Sequence, residues 1–214
     1  MKALIIGATG ATGKEIVQLL LNDTQYQEVA IFVRRAVDFE HEKLKVHVID
    51  FDTPETWHSL VTGDVLFSCL GTTLEAAGSK DAQWKIDYEY QYDFAQSAST
   101  NAVGTYVLIS ASNANPDSFF FYSKMKGKLE VAVKKLSFEK LIIVRPPILD
   151  RAASDRTMEV VGVKVIRFMN KLGLLQTQKP MTPATLAKAM VTSVTALKPG
   201  MHSLENKAIL KILQ

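Results

Sequence analysis

The sequence predicts an α/β fold built on a doubly wound parallel sheet, and three observations predict it. Apolar runs of strand length alternate with segments of helical spacing along most of the 214 residues. Those runs are continuous Val, Ile and Leu rather than strict alternations, as expected of strands covered on both faces. The first run passes directly into a glycine-punctuated turn and an amphipathic helix, KALIIGATGATGKEIVQLLL. Strand, helix and strand in repetition imply right-handed crossovers within one parallel sheet.

Taken in order, the first strand ends at Ile6, and further strands are predicted over 28–33, 44–49, 64–70, 105–109 and 140–144. Helices are predicted over 11–21, 54–60, 80–100 and 118–136. The C-terminal third is less regular. Residues 158–172 and 182–197 have helical spacing, Pro183 suits a first helical turn, 201–204 is a candidate short strand, and 209–213 closes the chain. The expectation is a single Rossmann-like domain over 1–214 with a small irregular C-terminal lobe, residues 151–214 contributing the substrate-side segments. Ligands of such sheets sit beyond the carboxyl ends of the strands, where strand order reverses. Functional residues are therefore expected at 7–13, 34–35, 50–52, 71–73, 110–112 and 145–147.

A chain that is 47% hydrophobic at this length can bury one sizeable core. Its 25 basic and 22 acidic residues are interspersed, for a net charge of +3, so nothing calls for nucleic acid. The lysines at 124, 126, 128, 134 and 135 read mainly as the solvated side of a helix. One cysteine, Cys69, excludes an intramolecular disulfide and fits a reducing compartment, with a small buried thiol as its plain explanation. Strand and turn begin at once, without the pattern of a signal peptide, and no apolar run is long enough to span a bilayer. A soluble cytoplasmic protein is the expectation. His41, His47, His58 and His202 are scattered without partners at ligand spacing, so no metal is assigned.

The turn Gly7-Ala8-Thr9-Gly10-Ala11-Thr12-Gly13 carries the first chemistry. Gly7 permits a sharp exit from the strand, Gly10 leaves no side chain between backbone and ligand, and Gly13 lets the helix approach the sheet. The helix directs unpaired N–H groups and its positive dipole end at the gap, which suits a pyrophosphate. A turn of this kind can also bind nothing; the strand before it and the apolar helix after it favour a dinucleotide. At the end of the second strand stand Arg34 and Arg35, with no carboxylate before Asp38. Guanidinium groups pair with a ribose 2′-phosphate where an acid would accept from a 2′-OH, so NADP is expected over NAD. Asp50 and Phe51 can border the adenine, the carboxylate at its exocyclic amine and the ring by stacking. Asp52 or Thr53 capping the helix at Pro54 is equally natural.

Tyr122 and Lys126 form a Tyr-x-x-x-Lys pair in FFFYSKMKGKLEVAVKKL. One helical turn separates them, so both emerge on one face. An ammonium beside a phenol favours the phenolate, which makes Tyr122 a usable general acid or base. Lys126 can also bond a cofactor ribose, and Ser110 or Ser112 can orient a substrate carbonyl or alcohol. The pair alone is as often a helix-surface feature; its position behind a serine-bearing strand end and a nucleotide turn favours chemistry. Tyr88, Tyr90, Tyr92 and Phe94 read mainly as core packing, and 160–175 as a pocket cover, a subunit contact or a membrane-surface helix.

GATGATG, SCLGTT, VLISAS, YSKMK and VRPPIL occur in the order found in atypical short-chain dehydrogenase/reductases. Over nearly its whole length the chain resembles the compact NAD(P)-binding group that includes the Tat-interacting oxidoreductase-like proteins. The resemblance implies that 7–13 hold the pyrophosphate and that Arg34 and Arg35 hold the 2′-phosphate. It places Cys69, Leu70, Gly71 and Thr72 beside the adenosine ribose and diphosphate. It makes Tyr122 and Lys126 the catalytic pair, and puts Arg145-Pro146-Pro147 at a turn whose backbone bonds the nicotinamide carboxamide. Two departures stand out. Ala111 separates two candidate serines, and Asp87 stands where relatives often carry asparagine; an aspartate can hold the helix in shape but lacks an amide's donor. The activity implied is hydride transfer to or from a small carbonyl or alcohol, with a homodimer or protein partner possible. The alternative is an NADP(H)-sensing binding protein with little turnover. A sugar-nucleotide epimerase or dehydratase ranks lower, because the roughly 60 residues after Asp150 are few for a nucleotide-binding lobe.

Overall fold

A computed structural model describes residues 1–150 and 180–214. Its sheet has seven strands in the order β3-β2-β1-β4-β5-β6-β7, all pairs parallel. The strands are β1 Lys2–Ile6, β2 Glu28–Val33, β3 Leu44–Val48, β4 Val65–Ser68, β5 Thr105–Ile109, β6 Lys140–Arg145 and β7 Gly200–Glu205. The order reverses at β1, between β2 and β4, so the switch point at which ligands of such sheets bind lies beyond the ends of β1 and β4.

Period two along β1 divides the core. Ala3 and Ile5 face one layer with Ile16, Val17 and Leu20 of α1 (Ala11–Asn22) and Leu186 and Met190 of α7 (Pro183–Ala196). Leu4 and Ile6 face the other with Phe94, Ala95 and Ala98 of α5 (Tyr90–Thr100) and Leu129 and Val133 of α6 (Phe121–Val133). Each of the Leu, Ile, Val, Met and Phe side chains among them contributes about 1.5–3 kcal/mol on burial. The strands between α1 and α5 must be apolar on both faces, which is why they read as continuous runs. At the edge, β3 is largely exposed, with Val48 57% accessible.

The structure differs from the sequence expectation in four elements. The predicted helix over 80–100 is α4 (Lys80–Trp84), a π-helical turn (Lys85–Glu89) and α5; the extra residue in that turn rotates Asp87 inward. A short helix, α3 (Leu74–Ala77), follows β4, with the Thr73 hydroxyl accepting from the Ala76 N–H and Gly78 left-handed at φ +82°. Residues 54–60 form α2 (Pro54–Trp57) and a 3-10 turn (His58–Leu60), and α6 starts three residues later than predicted, at Phe121. The C-terminal stretch left less regular by its sequence is regular over 180–214. Thr182 caps α7, β7 extends the parallel sheet beside β6, and α8 (Asn206–Lys211) follows. The helical patterns over 158–172 and 160–175 lie outside the described residues.

Candidate active site

The turn after β1 is a cradle that side chains would fill. Gly7 has φ +78°, and a Cβ there would lie 2.4 Å from the carbonyl carbon of Cys69. A Cβ on Gly13 would lie 2.1 Å from the Gly7 carbonyl oxygen, so α1 sits directly on the turn. Gly10 meets only that oxygen, at 3.2 Å, and is otherwise open. Gly10 caps α1 without a side-chain hydrogen bond, and no acid occupies the first turn. Thr9, Gly10 and Ala11 are exposed, whereas Ala8 and Thr12 are buried beneath them. The first amides of α1 therefore face outward without a side-chain partner, the arrangement that suits a diphosphate. The residues present fit a dinucleotide.

Arg34 and Arg35 are exposed immediately after β2 and pair with no described residue. Phe51 is not where the sequence suggested. It is 4% exposed and packs on Tyr90 and Phe94 at ring separations of 5.2 and 5.5 Å, so its ring belongs to the core rather than to a stacking surface. Asp50 stays exposed; its Oδ1 accepts the Asp52 N–H and its carbonyl accepts the Trp57 indole N–H. Asp52 does not cap α2. Its Oδ1 accepts from Tyr90 at 2.6 Å and pairs with Lys85 at 2.7 Å, and these two partners hold the Asp52 carboxyl below its usual range. Burial first, and then Asp52, push the Tyr90 phenol up, and Arg34 opposes them, which brings Arg34, Tyr90, Asp52 and Lys85 to one corner. Lys85 and Tyr90 were missed as site neighbours, because tyrosines at 88, 90 and 92 read as packing.

From the cradle, a chain of contacts leads to the candidate proton donor. Gly7 rests on the Cys69–Leu70 peptide, and the Cys69 N–H donates to the Ile6 carbonyl. Burial pushes the Cys69 thiol up, as expected of a packed, inert group. Thr72, beyond exposed Gly71, donates its N–H to Asp87 Oδ2 at 2.9 Å. The other oxygen of Asp87 lies 3.3 Å from Lys126 Nζ, with the two side chains 1% and 3% exposed. That oxygen has no aligned hydrogen bond, so the contact is an ion pair. Burial disfavours the Lys126 ammonium, but Asp87, then Tyr122 and Glu130, oppose burial and hold it above its ordinary value. Tyr122 stands one turn earlier on α6, 41% exposed.

The two serines separate. Ser110 is 4% exposed and donates to Glu130 Oε1 at 2.5 Å. Glu130 also receives Arg145 through Nε at 2.9 Å and a second nitrogen at 2.6 Å, and Arg145 reaches Glu205 of β7 at 3.5 Å. The Arg145 side chain is thus a strut from α6 to the sheet edge, and Pro146 and Pro147 beside it are buried. Ser112 is exposed. Among the described residues no group of His, Cys, Asp or Glu is disposed to hold a metal ion.

A parallel sheet reversing at β1, an anion cradle there and a buried lysine one turn from an exposed phenol define a dinucleotide-binding α/β protein. The model of the family described as NAD(P)H-binding matches residues 7–196, and the chain belongs to that family, within the atypical short-chain dehydrogenase/reductase group. It is 32% identical over 200 residues to the protein FMP52-1, mitochondrial, of Scheffersomyces stipitis, covering 90% of this chain and 88% of that one. It is also 32% identical over 215 residues to the protein HTATIP2 of Rattus norvegicus, covering 97% and 87%. Among solved structures, the oxidoreductase ylbE from Lactococcus lactis superposes with a TM-score of 0.71 at 19% identity, over 100% of this chain and 97% of that one, a likeness of fold. The expected cytoplasmic location is corrected by these relatives, since the FMP52 proteins are named mitochondrial. Composition and cysteine count do not distinguish two compartments that both keep thiols reduced.

Proposed function

We propose that this chain is an NADP-dependent oxidoreductase that transfers hydride to or from a small carbonyl or alcohol. The observation that carries the reading is the unbroken path Gly7, Cys69–Leu70, Thr72, Asp87, Lys126, with Tyr122 one turn beyond. A cradle for the diphosphate and a group able to move a proton thereby share one edge of the sheet. The coenzyme, when bound, supplies the hydride. Tyr122 gives its phenolic proton to the carbonyl oxygen during reduction and takes it back during oxidation. Lys126, held as an ammonium one turn from Tyr122, directs its N–H groups at a ribose hydroxyl. Ser112 is the strand-end hydroxyl free to bond the substrate oxygen, because Ser110 is engaged by Glu130. Arg34 and Arg35 grip the 2′-phosphate, and the backbone at 145–147 takes the carboxamide.

Tyr122→Phe tests the reading. Carbonyl-dependent oxidation of NADPH should fall by about 100-fold or more, while NADPH binding by calorimetry stays unchanged; equal turnover in both proteins refutes the role. The engagement of Ser110 favours a second reading, an NADP(H)-sensing protein with little turnover. Binding of NADPH by the wild-type protein without activity on any of a panel of aldehydes and ketones selects it. The mitochondrial names of the FMP52 relatives support a mitochondrial location, which fractionation of the source cells checks.

A further inference from the structure

We propose that the substrate of this site carries an apolar, ring-sized body, received by Phe119 and Phe120 beside the Tyr122 phenol. The inference deepens the oxidoreductase reading and rests on it. The carboxyl edge of the sheet is divided by polarity. Beyond β2 and β3 it exposes Arg34, Arg35, Asp50 and Asp52, the half suited to a charged nucleotide. Beyond β4, β5 and β6, which are neighbours in the sheet, it exposes Leu74, Phe119, Phe120, Tyr122 and Ile148. Adjacent strands lie about 5 Å apart, so these side chains rise from one region of the edge. Phe119 is fully exposed and Phe120 79% exposed, and neither ring stacks on a described residue. Phe121, the next residue, is the contrast: its ring lies 6.3 Å from Trp84 and 5.7 Å beneath the Lys80 ammonium.

The backbone beneath the two rings is fixed, so their exposure is built into the fold. The loop after β5 turns back onto α6, where the Asn115 N–H donates to the Ser123 carbonyl at 3.0 Å. A side chain on Gly127 would run into the Asn115–Pro116 peptide, so the loop sits directly on the helix. The Ser118 hydroxyl then accepts the Phe120 N–H at 3.1 Å, and Phe120 leads into the first turn of α6. Both rings are thus held in water, three and two residues ahead of the phenol. Each forgoes the roughly 10- to 100-fold that burial of such a side chain contributes to an equilibrium, and an apolar ligand covering them recovers it. The substrate is the occupant that fits, because a carbonyl reaching Tyr122 at the start of α6 brings its attached body to the residues that open that helix. Phenylalanine rings favour the faces and edges of other rings, which points to an aryl body.

Two ketones with the same methyl-carbonyl group test the inference: benzylacetone, which ends in a phenyl ring, and acetone, which has no apolar body. In reduction by NADPH, kcat/KM for benzylacetone should exceed that for acetone by about 100-fold or more, and combining Phe119→Ser with Phe120→Ser should cut that ratio by about 10-fold or more. In protein carrying ¹³C-phenylalanine, the ring resonances of Phe119 and Phe120 are assigned by their loss in the single serine variants. They should shift when benzylacetone is added to the protein in NADP⁺, and stay in place with acetone. The shifts need no turnover. Shifted rings without reduction of either ketone support the apolar site and refute the oxidoreductase reading. Reduction with a ratio unaltered in the double variant refutes the apolar site and leaves that reading standing. Unmoved rings overturn the proposal. So does sedimentation showing a wild-type dimer that the double variant dissolves, which assigns the rings to a second copy of the chain. A fall in Tm of several degrees in the double variant assigns them to the fold itself and overturns it equally.

Discussion

At the scale of single residues, the site is decided by what each polar group touches. Arg34 and Arg35 pair with no described residue, so their guanidinium groups remain available to an anion. Arg34→Ala with Arg35→Ala should weaken NADPH binding by about 10- to 100-fold, the worth of charged hydrogen bonds to a phosphate, and leave NADH nearly unaffected. Calorimetry with both nucleotides checks this, and equal losses would remove the preference for NADP. Glu130 is the opposite case, a buried carboxylate with a serine and an arginine on it. Glu130→Gln leaves Arg145 short of its partner and should cost about 3 kcal/mol, near the low end for a buried pair because Arg145 is 23% exposed. Thermal unfolding should register it as a fall in Tm. Arg34, Arg35, Tyr122 and Lys126 can be named as candidates from sequence because the chemistry proposed for them is tied to short spacings. The engagement of Ser110 and the burial of Phe51 were not, because each depends on a partner 20 or more residues away.

At the scale of elements, the strand–turn–helix unit at the N-terminus is both the most legible feature and the least tolerant. Gly13→Ala places a methyl against the Gly7 carbonyl oxygen, backbone that cannot swing aside, so α1 must shift from the sheet. The expected outcome is a loss of several kcal/mol of stability together with loss of NADPH binding. Urea unfolding and calorimetry would show it; a stable variant that still binds would mean the helix can move without opening the cradle. The π turn shows why the opposite holds for residues 80–100. The sequence spacing there fits one long helix, and a single extra residue within it changes no composition signal. Its position follows from the tertiary contacts of Asp87 with Thr72 and Lys126.

At the scale of the whole molecule, the seven parallel strands bring together residues from Gly7 to Arg145 that no local pattern links. A ligand that binds only this assembled edge must stabilise all of it. At NADPH near 100 times its Kd, the gain is about 2.7 kcal/mol, or about 5–10 °C in Tm for a chain of this size. Differential scanning calorimetry checks it, and an unmoved Tm would argue against the cradle. The C-terminal segment belongs to this scale too. Its sequence indicated a helix and a short strand, but only pairing of β7 with β6 made that strand part of the sheet.

By itself, the amino-acid sequence determined the alternation of strands and helices, the glycine turn, the cations after β2 and the Tyr-x-x-x-Lys step. All of these are short-range, set by backbone sterics and by the 3.6- and two-residue periods. Tertiary structure alone decided that Asp87 faces Lys126, that Ser110 serves Glu130 while Ser112 meets solvent, and that Phe51 lies inside. The partner of a buried polar group is chosen by which distant segments pack together, and spacing along the chain carries no record of that choice.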